Sequence, residues 1–134
     1  MCLAGASGAG AELLAAMPDA LLHAHYVWVP MLPSDTQVAA LVASERFAEQ
    51  RATHYWDAER RLARRMGRAL GIGPGEAISD GKIEMAWDVY LAYGKGAKEM
   101  EKPDFWMHQL GVKHAPRLDA GEWRRRMGQL VVTT

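Results

Sequence analysis

The chain has 134 residues, enough for one domain with a buried core, and its 49% hydrophobic content excludes a disordered chain. Sixteen Lys and Arg balance sixteen Asp and Glu, so no overall field draws the protein to nucleic acid or an anionic membrane. Cys2 is the only cysteine, which excludes an intramolecular disulfide and a cysteine-built zinc site, and no apolar run reaches the roughly 18 residues of a membrane span.

Residues 8–17 are rich in Ala and Leu and predict a helix ended by Pro18 and Asp19. Residues 22–29, dense in aromatic and β-branched types and stopped by Pro30, predict a strand in a sheet covered on both faces. Ser34 with Gln37 three residues later forms a capping-box pattern, and Val38, Leu41, Val42 and Phe47 mark the apolar face of the helix that follows.

"RATHYW" predicts a short strand, after which Asp57 is placed to cap a helix. On that helix Arg60, Arg61, Arg64, Arg65 and Arg68 share one arc, and Leu62, Ala63, Met66, Ala69 and Leu70 share the other. Gly71 stops it, and "GIGPGEAISDGK" reads as a loop. Alternation over 87–93, then a Gly-Lys-Gly turn, predicts a hairpin into residues 97–100. Asp119 with Glu122 at N3, flanked by Leu118 and Trp123 as a hydrophobic staple, starts a last helix over about 120–130. Helices and strands alternate and then end antiparallel, as in an α/β sandwich.

The blocks "YVWVPML", "ATHYWD", "AWDVYLAYG" and "KPDFWMHQLG" resemble, in this order, a group of bacterial thioredoxin-like proteins over about residues 2–111. The resemblance implies a single domain over residues 1–134: a thioredoxin-like three-layer α/β/α sandwich with a mixed central sheet whose first strand is missing. It also implies that Cys2, in "CLAGA", stands at the second cysteine of a Cys-x-x-Cys motif. The family's proline before the "AWDVY" block is replaced by Met85, where a trans peptide is expected.

A dithiol oxidoreductase needs a low-pKa thiolate and a resolving thiol. The expected protein is therefore a degenerate thioredoxin-like domain that serves as a binding or assembly module. The alternative is a thiol-disulfide oxidoreductase acting through Cys2 as a monothiol or with a partner's thiol. If the missing strand leaves a gap, exposed edges favour a homodimer through the incomplete sheet.

His23 and His25 form an H-x-H pair that a strand projects to one side, a weak metal candidate that His54, His108 and His114 could join in space. No metal or other cofactor is expected. Trp28, Trp56, Trp87 and Trp106 read as core or interface packing. Nucleic-acid binding is not expected, since the arginine arc reads as a solvated helix face. No basic region or long apolar stretch of a signal peptide opens the sequence, so the expectation is a cytoplasmic protein.

Overall fold

Small residues let the first helix approach both sheets. In the computed structural model, which describes residues 3–72, 85–112 and 115–131, α1 (Leu3–Ala6), the π-helical turn π1 (Ser7–Ala11) and α2 (Glu12–Ala16) form one continuous helical stretch. A Cβ on Gly5 would lie 1.6 Å from Tyr90 Oη, and one on Gly10 would lie 2.2 Å from Tyr26 Oη. Only glycine fits at either place. At the C-terminal end of α2, Arg51 donates from Nη2 to Leu14 O (2.8 Å) and from Nη1 to Met17 O (2.8 Å) and Ala20 O (3.4 Å). Each of these carbonyls also accepts a backbone N–H, from Met17, Ala20 and Leu22 in turn, so Arg51 adds a second bond to each.

β1 (Ala24–Trp28) pairs in parallel with β2 (Ala52–Trp56), with Ala24 opposite Ala52 and Trp28 opposite Trp56. β3 (Val89–Ala92) pairs antiparallel with β4 (Phe105–His108). The class is mixed α/β, as expected, but the described residues form two separate two-stranded sheets in place of one central sheet. Each is anchored to the first helix on its own, β3 through Tyr90 at Gly5 and β1 through Tyr26 at Gly10.

The partner of β3 is residues 105–108 and not 97–100. Lys98 and Glu99 offer no apolar face, whereas Phe105 and Met107 are buried at 8% and 1% exposure. The intervening loop is closed by Gly94 N–H donating to Asp104 Oδ2 (2.6 Å) and Tyr93 Oη donating to Met100 O.

α3 (Gln37–Arg46) is capped by Thr36, whose Oγ1 accepts from Ala39 N–H, and not by Ser34. Of the expected apolar face only Phe47 turns inward. Val38, Leu41 and Val42 are 71%, 60% and 60% exposed, while Ala40, Ala43 and Phe47 turn inward. The inward alanines and Phe47 pack with Trp28 against Leu3, Ala6, Ala11, Tyr26 and Trp56.

α4 (Arg61–Ala69) follows Arg60, which is in the left-handed region, and Asp57 caps it by accepting from Arg61 N–H (2.9 Å) and Ala63 N–H (3.0 Å). Met66, Leu70, Ile72 and Ala86 pack with Val89, Leu91 and Trp106 on one face of β3–β4. The other face carries Ala92, Phe105 and Met107 against Ala9, Leu13, Trp123 and Met127. α5 (Ala120–Leu130) starts as the sequence predicts: Asp119 accepts from Glu122 N–H (2.7 Å), and Leu118 packs on the cluster that holds Trp123.

The β3–β4 sheet is therefore covered on both faces. On β1–β2 only the side with Tyr26, Trp28, His54 and Trp56 is packed, and His23, His25 and Tyr55 stand exposed on the other. The expectation of a doubly covered strand fails because alternate positions of β1 and β2 carry these polar side chains. No helix among the described residues is long and apolar enough to cross a membrane.

Candidate functional site

Prolines at positions 30 and 33 keep the chain after β1 out of helix and bring Asp35 back toward it. Asp35 is buried and accepts from Met31 N–H (3.1 Å) and Leu32 N–H (2.9 Å). Asp88, just before β3, adopts a left-handed backbone with φ of 55°. Asp35 lies in the loop after β1 and Asp88 in the loop before β3. Burial is the main cause that pushes the Asp88 carboxyl up; a nearby positive charge works against it, and the negative charge of Asp35 is the smallest of the three influences. Burial alone would also raise Asp35, but hydrogen bonds, those from Leu32 and Met31 among them, hold it below the usual range. Separated in this way, Asp35 stays ionised where Asp88 still takes up protons.

Beside Asp35 lies a cleft of about 270 Å³ lined by Leu3, Ser34, Ala39, Val42, Ala43 and Arg46. Its walls are apolar, with one acid and one base among them. Such a surface can recognise a ligand through apolar contact and opposite charges.

Cys2 and His114 lie outside the described residues. Met85 is buried, and every peptide bond among the described residues is trans. His25 on β1 and His23, one residue before its start, lie on the open side of the sheet with ring centroids 4.7 Å apart. Neither of the other described histidines joins them. His54 stacks on Tyr26 and Trp28 across the sheet, and His108 is fully buried in β4. No group of three or more metal-ligating side chains occurs among the described residues.

His108 is a packing node. Its Nδ1 accepts from Leu110 N–H (3.0 Å), which leaves the proton on Nε2 to be donated to Trp87 O (3.1 Å). Trp28 is buried and donates from Nε1 to His54 Nδ1 (3.1 Å); Trp56 packs on its cluster, and Trp106 packs on that of Met66. The arginine face pairs with acids: Arg61 with Glu59, Arg65 with Glu101 and, on α5, Arg125 with Glu122. Sequence reasoning missed Asp35 and Asp88, because the burial that shifts each is set by the tertiary fold. Comparison of the chain with protein-family models, with curated proteins and with solved structures finds no match.

Proposed function

We propose that the protein is a thioredoxin-like domain without dithiol chemistry that works as a binding or assembly module and forms a homodimer through its incomplete sheet. One observation carries this reading: among the described residues, β1 has a ladder on one edge only. Ala24 N–H donates to Arg51 O and Asp57 N–H donates to Trp28 O, so Ala24, Tyr26 and Trp28 turn their backbone groups toward β2. Those of His25 and Val27 therefore point to the opposite edge, where no strand is laddered among the described residues. A row of donors and acceptors of this kind is a template for a strand from another chain.

The outward aliphatic face of α3 supports the same reading. Val38, Leu41 and Val42, with Leu32 at 52% exposure, present apolar surface that a folded chain normally buries against a partner. The balanced charge of the chain places no net repulsion between two copies.

Light scattering at micromolar concentration tests the proposal. A dimer is expected, and Val27→Pro, which deletes one outward donor, shifts it toward monomer without unfolding the chain. A monodisperse monomer for the unsubstituted protein overturns it.

A further inference from the structure

The open face of β1–β2 presents His23, His25, Thr53 and Tyr55. His25 stands on β1 and His23 one residue before its start, both held toward β2 by Thr53 and Tyr55, and their ring centroids are 4.7 Å apart with planes tilted by 43°. An imidazole binds a transition-metal ion at about 2.1 Å, which puts the ion about 3.2 Å from the ring centre. Two rings at the observed separation then subtend about 95° at a shared ion, within the range of neighbouring positions in tetrahedral to octahedral coordination.

Each ring is also held on one side only. His23 Nε2 meets Thr53 Oγ1 at 2.8 Å, and His25 Nδ1 meets Tyr55 Oη at 3.1 Å. With those nitrogens donating, His23 Nδ1 and His25 Nε2 carry the lone pairs. Hydrogen bonding of the second nitrogen is how proteins orient ligating histidines.

We propose that His23 and His25 form a two-nitrogen site for a divalent transition-metal ion of the Ni²⁺, Cu²⁺ and Zn²⁺ group, with Thr53 and Tyr55 as positioning residues. Solvent fills the other positions, since no third ligand accompanies the pair among the described residues. Imidazole nitrogen suits these ions better than Mg²⁺ or Ca²⁺.

The test titrates Ni²⁺ alone into ¹⁵N-labelled protein, with a Cys2→Ser sample in parallel to remove the thiol as a competing ligand. The first equivalent is expected to broaden amides around residues 22–26 and 53–55 in both samples. His23→Gln and His25→Gln each weaken binding by at least about tenfold, and Tyr55→Phe weakens it less. Both histidines are exposed, so the variants retain their fold, which circular dichroism checks. Broadening that starts elsewhere in the wild-type protein, or an unchanged affinity in the His23→Gln/His25→Gln double variant, overturns the proposal.

Discussion

Tyr90 Oη occupies the space over Gly5 that any side chain would need, and from there it donates to Gln109 Oε1 at 2.8 Å. Gly5→Ala is expected to destabilise the protein by about 1–3 kcal/mol, the cost of overpacking a filled site. That cost outweighs the helix gain of about 1 kcal/mol that alanine brings. Gly8 is the control: a Cβ there meets Ala120 Cβ at an ordinary 3.8 Å. Gly8→Ala is therefore neutral or stabilising by up to about 1 kcal/mol. Urea unfolding of the two variants separates a close approach from mere helix composition.

Much of the local structure was legible because it is written in short range. Asp119, Glu122, Leu118 and Trp123 announce the start of α5 within six positions, and Asp57 announces α4. On α3 the expectation holds for Phe47 but not for Val38, Leu41 and Val42, since periodicity cannot say which of two faces a neighbour will accept. Ala40 and Ala43 fit close to Trp28 and Leu3, and the bulkier Val38 and Leu41 are turned out. The settings of Asp35 and Asp88 are illegible for a different reason: the burial of each carboxyl is created by residues distant in sequence.

Arg51, just before β2, ties that strand to the end of α2 and the turn after it through the carbonyls of Leu14, Met17 and Ala20, and its side chain is partly buried. Arg51→Met keeps the stem but removes every donor. A loss of about 2–3 kcal/mol is expected, the range for hydrogen bonds to a charged group in a partly buried setting. Thermal unfolding measures it, and Arg46→Met, on the exposed end of α3, should leave the midpoint nearly unchanged.

The two carboxylates make opposite contributions with pH. Asp88 is raised in the folded state, so the native chain binds more protons than the unfolded one above about pH 3.9, and stability falls as pH climbs through that window. Asp88→Asn is thus expected to stabilise at pH 7, by less than about 1 kcal/mol because the site is partly solvated, with the gain vanishing below pH 3.9. Asparagine also tolerates the left-handed backbone. Asp35 is lowered, so its contribution is present above its unfolded value and is lost as pH falls through the folded one. Asp35→Asn should destabilise most at neutral pH, and denaturant midpoints between pH 3 and 7 will show the two variants diverging in opposite directions.

Hydrogen exchange at single amides of β1 tests most directly whether its free edge is where another chain binds. Tyr26 N–H faces β2 and is expected to be protected at every concentration. His25 and Val27 N–H face the free edge, and the account predicts that their exchange slows by about tenfold or more as the protein is concentrated from dilute monomer into dimer. Equally fast exchange of both amides in the two states, with dimer present, would contradict it.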